Sequence, residues 1–262
     1  MMIKATVGIL TFNSEKYLEE CLDSVKNFKE IIILDGNSTD KTLLIAKKFK
    51  CKIFKQPQNL KYSNNKIKDF SEIRNQIVKL SSNNFILFLD SDEILHKKIV
   101  NKIKYLSNSI YHQKNYYSFL LARYPLLNKR IIKKASLFPN FQERLIFKSN
   151  IKRFVKPVHE RPISKNNYFK KGIIKKPSIL FNLEKNYNKK FEYYYKIEKE
   201  MLNNKNYLNN FKFVSFRLLV ILKRIFRFFI FNMFNNNVLK SYEWKLIKVN
   251  LKYSVKLIKH IF

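Results

Sequence analysis

The chain has 262 residues, 46% hydrophobic and 15% aromatic, with 53 Lys/Arg against 19 Asp/Glu and a formal net charge of +34. That length holds one sizeable domain, or a domain with an extension, and the apolar content excludes a disordered basic tail. The charge is uneven: residues 1–93 carry 15 basic and 12 acidic side chains, whereas residues 94–262 carry 38 and 7, so the two stretches have different tasks and the second attracts polyanions such as anionic lipid headgroups, phosphorylated glycolipids or nucleic acid.

The chain opens on a strand, Ala5–Leu10, that ends at Thr11-Phe12-Asn13-Ser14. This start lacks the apolar core of a signal peptide, and no stretch has 18 uncharged apolar residues, so a cytoplasmic location without a conventional membrane span is the expectation. Tyr17, Leu18, Cys21, Leu22 and Val25 then fall on one helical face, with Asn13 or Ser14 placed to cap the first turn. Glu30–Leu34 is a second strand, closed by Asp35-Gly36-Asn37-Ser38-Thr39-Asp40. A helix over 41–49 follows, with Asp40 able to cap it, and then a short strand at Cys51–Phe54. Cys21 and Cys51 lie outside any Cys-x-x-Cys pattern and read as reduced thiols. After a polar loop, Asp69–Leu80 aligns Phe70, Ile73, Ile77 and Leu80 as a helix, and Phe85–Leu89 is the fourth strand.

This alternation predicts a mostly parallel α/β sheet with helices on both faces, in which ligands bind at the carboxyl ends of the strands. Those ends carry Thr11–Asn13, Asp35–Ser38 and Asp90–Asp92. Asp90-x-Asp92 has the chemistry to hold one hard divalent cation, Mn²⁺ or Mg²⁺, through carboxylate oxygens, or it is a plain helix-capping turn. Asp35 can accept from the imide N–H of a base, or the segment around it is an ordinary strand-to-helix turn.

Past residue 95 the alternation breaks down. Tyr116–Tyr124, Gln142–Phe147 and Ile173–Leu180 read as strands among Lys-rich loops, and helices are expected over 185–203, 213–234 and 241–260. The organisation that follows is a domain over 1–184, split into a ligand-binding half (1–95) and a second half (96–184), and a basic helical extension over 185–262. In "FKFVSFRLLVILKRIFRFFIFNMF", residues 211–234, Arg217, Lys223, Arg224 and Arg227 share one side of a wheel filled with Phe, Leu, Ile and Val. That pattern suits a helix lying in an anionic headgroup region, peripheral on the inner face of the membrane, and equally a helix packing its wide apolar face on the domain.

Four stretches, "VGILTFNSEKYLEECLDSV", "EIIILDGNSTDKTLLIAKKF", "IRNQIVKLSSNNFILFLDSDE" and "QERLIFKSNIKRFVKPVHERP", resemble the family 2 glycosyltransferases of GT-A fold. The last is similar to the subset that includes lipopolysaccharide-core β-glucosyltransferases. One departure is Gly36-Asn37, where the family has Ser-Gly or Asp-Gly; Asn tolerates the left-handed conformation such a turn requires. The resemblance implies an inverting, metal-assisted transfer from a nucleotide sugar, UDP-hexose being favoured, to a lipid-linked or lipopolysaccharide-type acceptor. Thr11, Phe12 and Asn13 would line the nucleotide pocket and Asp35 would bind the base. Arg74 and Asn75 would approach ribose and diphosphate, Asp90 would contact the ribose or a metal-bound water, and Asp92 would ligate the cation.

The catalytic base is placed at Glu160 in "KPVHERP", among positive neighbours that keep a carboxylate ionised, with His159 completing the metal shell or meeting the diphosphate. The alternative there is an exposed Glu160–Arg161 pair. Glu93 is the rival base, although its place after the Asp-x-Asp suggests that it orients Asp92 or a loop N–H instead, and Glu143-Arg144 reads as a strand-borne pair, either lining the acceptor side or structural. Two other readings compete: a basic nucleic-acid-binding protein, against which stands the lack of any RNP, zinc or helix-turn-helix signature, and a degenerate scaffold, which should have lost the Asp-x-Asp or the base. No nucleic-acid partner is expected.

Overall fold

The computed structural model describes residues 2–63, 66–127, 130–132, 139–182, 187–203, 207–232 and 237–261. By contact the chain divides into two compact units, residues 1–131 with 140–182 and residues 132–139 with 183–262.

The first unit is built on a nine-stranded sheet. Its parallel part is β1 (Ile3–Thr11), β2 (Phe28–Asp35), β3 (Lys52–Lys55) and β4 (Phe85–Asp90), connected by α1 (Glu15–Val25), α2 (Thr42–Lys48) and α3 (Phe70–Leu80). Then come β5 (Glu93–Leu95), α4 (Lys97–Asn108), α5 (Ile110–Asn115), β6 (Tyr116–Leu127), β7 (Arg130–Ile131), β8 (Asn140–Phe147), β9 (Ile151–Val155), β10 (Arg161–Ser164) and β11 (Lys170–Asn182). The sheet runs β3-β2-β1-β4-β8-β6-β11-β5, with β7 on β6, and β9 and β10 form a separate ribbon. Strands β3, β2, β1 and β4 are mutually parallel, β8 is antiparallel to both β4 and β6, and β11 runs parallel to β6.

Alternation along the buried strands sends side chains to two cores. Val7, Ile9, Leu87 and Leu89 face Leu18 and Leu22 of α1 together with Ile99 and Ile103 of α4. Ile86, Phe88 and Leu34 face Ile73 and Ile77 of α3 and Phe154 of β9. Gly8 lets α3 approach this second face: a Cβ there would stand 2.5 Å from Ile77 Cγ2.

The helix over 97–108 was not expected from the sequence, although Ile99, Ile103 and Leu106 are buried at helical spacing. The cap of α1 also differs. Ser14 occupies the cap position, but its hydroxyl makes no capping bond. Instead Asp40 accepts from the Glu15 amide (3.0 Å) and the Thr42 amide (2.9 Å), while Glu15 accepts from the Lys41 amide (3.0 Å). The starts of α1 and α2 thus cap each other. Cys21 is buried and Cys51 partly so, and neither is in a disulfide.

The second unit consists of α6 (Tyr187–Asn203), α7 (Tyr207–Asn232) and α8 (Asn237–Ile261), with α8 packed on both α6 and α7. Phe228 of α7 stacks on Trp244 of α8 with centroids 5.3 Å apart. Residues 185, 186, 233 and 234 of the expected helices, and the side chains of Arg217, Arg224 and Phe231, lie outside those described. No helix among the described residues is long and apolar enough to cross a membrane.

Candidate functional site

Parallel registry sets three strand ends side by side, Thr11 opposite Asp35 and Leu10 opposite Asp90. Thr11 Oγ1 donates to Asp35 Oδ1 at 2.8 Å. The same carboxylate accepts from the Asn37 and Ser38 amides and from the Ser38 hydroxyl, at 2.9, 2.8 and 2.6 Å. Four donors fill both oxygens, so Asp35 builds the turn, and it reaches a base only if a hydroxyl such as that of Ser38 rotates aside. Asn37 takes φ 71° and Gly36 a negative φ, so the left-handed position of the turn is held by Asn as the sequence reading requires. Gly36 donates to the Thr11 carbonyl at 2.8 Å, and there a Cβ would sit 3.2 Å from that oxygen.

Asn13, itself at φ 48°, ties the two loops together. Its amide donates to Ser38 Oγ and its side-chain oxygen accepts from the Thr39 amide, at 2.9 and 2.8 Å. Phe12 is 42% exposed, an apolar face at the rim of this turn. Ser14 Oγ lies 2.9 Å from Ser91 Oγ, which links the first loop to the Asp90-Ser91-Asp92 turn.

At the end of β4 a lattice of three carboxylates and three guanidiniums is assembled from distant parts of the chain. Arg144 of β8, 3% exposed, forks onto Asp90, with Nη1 to Oδ1 at 3.1 Å and Nη2 to Oδ2 at 2.8 Å, and also reaches Glu93 at 3.1 Å. Arg123 of β6 pairs with Glu93 and lies over the Phe181 ring. Arg74 of α3 donates through Nε to Glu160 at 2.5 Å, stands 3.8 Å from Asp90 and rests on the Phe88 ring. Fork geometry of this kind fixes both position and orientation of a carboxylate.

Burial pushes the Asp90 carboxyl up, but the charge of Arg144 outweighs it, with Arg74 and Arg123 adding, and Asp90 is held well below the usual carboxylate range. The reciprocal field holds Arg144 firmly charged. Glu93 is fully buried and accepts from the Asp90 amide at 3.0 Å, so it orients the turn, as its place after the aspartates suggested.

Glu160 ends the loop between β9 and β10, in which Lys156 and His159 both take positive φ, 75° and 55°. Three hydrogen bonds, at two points, hold β9 and this loop to α3. Asn75 accepts from the Phe154 amide and donates to its carbonyl, at 2.7 and 3.2 Å, and the Phe70 amide donates to the Pro157 carbonyl at 2.9 Å. The Asn75 carboxamide also donates to Glu72. With both N–H groups committed, the Asn75 carboxamide fixes β9 and the loop that follows it. Glu160 is paired with Arg74 and not with its neighbour Arg161. His159 is exposed.

Asp92 sits partly buried on the turn. Among the described residues no group of three or more His, Cys, Asp or Glu is arranged to cage a metal ion, and Asp90 already faces Arg144 through both oxygens. Such a donor set fits a hard cation that shares its shell with substrate phosphates, a common arrangement for Mg²⁺, and does not fit an all-protein cage.

Sequence reading missed the parts played by Arg123 and Arg144. Arg144 was visible only as one half of a Glu-Arg pair, and Arg123 carried no local signal.

The profile of Glycosyl transferase family 2 matches residues 6–211. The SPbeta prophage-derived glycosyltransferase SunS of Bacillus subtilis is 39% identical over 99 residues, 37% of this chain and 22% of that one. The poly(ribitol-phosphate) beta-N-acetylglucosaminyltransferase TarS of Staphylococcus aureus is 35% identical over 105 residues, 37% and 18% of the two chains. The corresponding TarP of S. aureus is 28% identical over 286 residues, 99% of this chain and 80% of that one. The match thus spans about a fifth of the length of SunS and TarS. The crystal structure of S. aureus TarS 1-349 with UDP-GlcNAc superposes at a TM-score of 0.49 and 18% identity, covering 75% of this chain and 65% of that one.

Proposed function

The chain belongs to glycosyl transferase family 2, and from that premise we propose that it moves a sugar, with inversion, from a UDP-hexose to a hydroxyl of a phosphate-bearing glycan acceptor. The observation that carries the reading is the arrival of Glu160 on Arg74, beside Asp90 at the end of β4. An acid from the second half of the sheet domain stands next to the strand ends where a nucleotide diphosphate would lie.

In this reading Thr11, Phe12, Asn13 and Asp35 shape the nucleotide pocket, with the Ser38 hydroxyl turning aside as Asp35 meets the base. Asp90, ionised and fixed by Arg144, accepts from the ribose. Asp92 would hold a Mn²⁺ or Mg²⁺ ion, with His159 as its neighbour on the loop, and the cation would supply Lewis-acid stabilisation of the leaving diphosphate. Arg74 adds positive charge where negative charge develops. Glu160 takes the proton from the attacking hydroxyl, and a single base on one side of the anomeric carbon means direct displacement and inversion. Asn75 positions the loop that carries Glu160. The names of TarS and TarP support N-acetylglucosamine as the first sugar to test and a phosphate-rich polymer as one acceptor class. The basic acceptor half also suits a lipid-linked or lipopolysaccharide-type acceptor at the inner face of a membrane.

Calorimetry with UDP tests the donor side. UDP binding should tighten on adding Mn²⁺, Asp92→Asn should remove that gain, and Glu160→Gln should bind UDP at least as tightly as the native chain. UDP release from UDP-N-acetylglucosamine with a poly(ribitol-phosphate) acceptor should then fall by about 10²–10⁴-fold in Glu160→Gln, the usual worth of a general base. Cation-independent UDP binding, or full turnover by Glu160→Gln, would overturn the assignment.

A further inference from the structure

Helices α7 and α8 together contain eleven Lys or Arg and one acid, Glu243, and that acid is fully buried. Along α7 six large apolar side chains stand in solvent: Phe216, Leu219, Leu222, Phe226, Phe229 and Ile230, each at least 48% exposed. At about 100° per residue they fall within one sector of about 140°. Lys223, also exposed, lies within that sector, and Arg227 lies at its edge. The packed side of the helix is elsewhere: Ile221 is buried and Phe228 stacks on Trp244. On α8, Leu251 and Val255 are exposed beside Lys248, Lys252 and Lys256.

Six exposed apolar side chains in one sector form a patch of the kind that marks an interaction surface, and the charge around them selects the partner. A second copy of this chain would bring a net +34 against +34, with the lysines of one helix pair facing those of the other. A soluble polyanion would satisfy the lysines and leave Phe226 and Phe229 in water. An anionic lipid surface satisfies both, because apolar side chains enter the acyl boundary while Lys and Arg stems reach back to the headgroups. We infer that the exposed sector of α7, with the lysines of α8 supplying attraction, is a docking surface for an anionic bilayer, lying in its interface without crossing it. The surface works with neither donor nor cation bound, so it stands or falls apart from the sugar-transfer reading.

Flotation of the full chain with vesicles tests this. Vesicles of phosphatidylglycerol and phosphatidylcholine should carry the protein upward, and phosphatidylcholine alone should bind it at least about tenfold more weakly. The pair Phe226→Ser with Phe229→Ser should lower binding by at least about tenfold. Both side chains are exposed, so circular dichroism and thermal unfolding should be unchanged. The triple Lys248→Gln, Lys252→Gln, Lys256→Gln should lower it by at least about tenfold at low salt and less at high salt. Three results would overturn the inference. One is the absence of binding to phosphatidylglycerol vesicles. Another is binding that ignores the Phe pair and is displaced by soluble polyphosphate, which marks a polyanion site. The third is an oligomer in sedimentation velocity that the Phe pair returns to monomer while vesicle binding is absent, which marks a self-association face.

Discussion

Replacing Arg144 with Gln removes three charge-assisted hydrogen bonds, two to Asp90 and one to Glu93. Taking one partner from a buried ion pair costs about 3–5 kcal/mol. Two features pull the figure to the low end. Asp90 keeps 43% of its side chain in solvent, so water recovers part of its loss, and Glu93 retains Arg123. The expected deficit at pH 7 is about 3 kcal/mol, read by urea denaturation followed by circular dichroism. Arg144→Lys keeps the charge but not the fork and should recover about half of it.

The pH dependence carries the sharper signature. In the native protein Asp90 has a depressed pKa. Its contribution is therefore full above the ordinary aspartate value of about 3.9 and is lost only as pH falls toward the lower folded value. Without Arg144 that carboxyl returns toward its ordinary value, so the deficit of Arg144→Gln should hold between pH 7 and pH 4.5 and shrink as pH falls below about 3.9. A deficit below about 1 kcal/mol, or one that does not shrink in acid, would show that Arg144 does not hold Asp90 by charge.

Two further predictions concern the frame. Burial raises Glu30, but hydrogen bonds from Lys52, Thr6 and Ser82 outweigh it and lower it to about 2, so its stabilisation is complete above about pH 4.5 and fades as pH falls toward 2. Glu30→Gln should cost of order 3 kcal/mol at pH 7 and flatten that acid limb in a urea series. Gly8→Ala drives a methyl to within 2.5 Å of Ile77 Cγ2, so it should cost about 1–3 kcal/mol in the same assay, and that cost should be smaller in an Ile77→Ala background, which removes Cγ2.

The strand ends were legible because each is a local event. An apolar run of four to eight residues stops at a polar cluster, and parallel registry then does the alignment. Asn37 was legible too, since a left-handed turn position admits few residues. The guanidiniums were not. Arg123 and Arg144 belong to strands whose register against β4 is set by long-range pairing, and nothing within a few residues of either marks it as facing an acid 30 or 54 positions away. The bonds of Asn75 to β9 were hidden for a related reason: they join α3 to a strand 79 positions away. The helix at 97–108 carried its signal in Ile99, Ile103 and Leu106, which the surrounding lysines obscured.

The loop bearing Glu160 is bolted to α3 at two points, and Arg74 sits between them on the same helix. That single guanidinium latches Glu160 at rest and also stands 3.8 Å from Asp90 at the end of β4. On the proposed reading a donor's diphosphate would compete for it, and the latch on Glu160 would open as Arg74 turned toward phosphate oxygens. Order of addition is then written into one side chain: an acceptor that enters before the donor meets an acid still fastened, and one that enters after meets it unlatched.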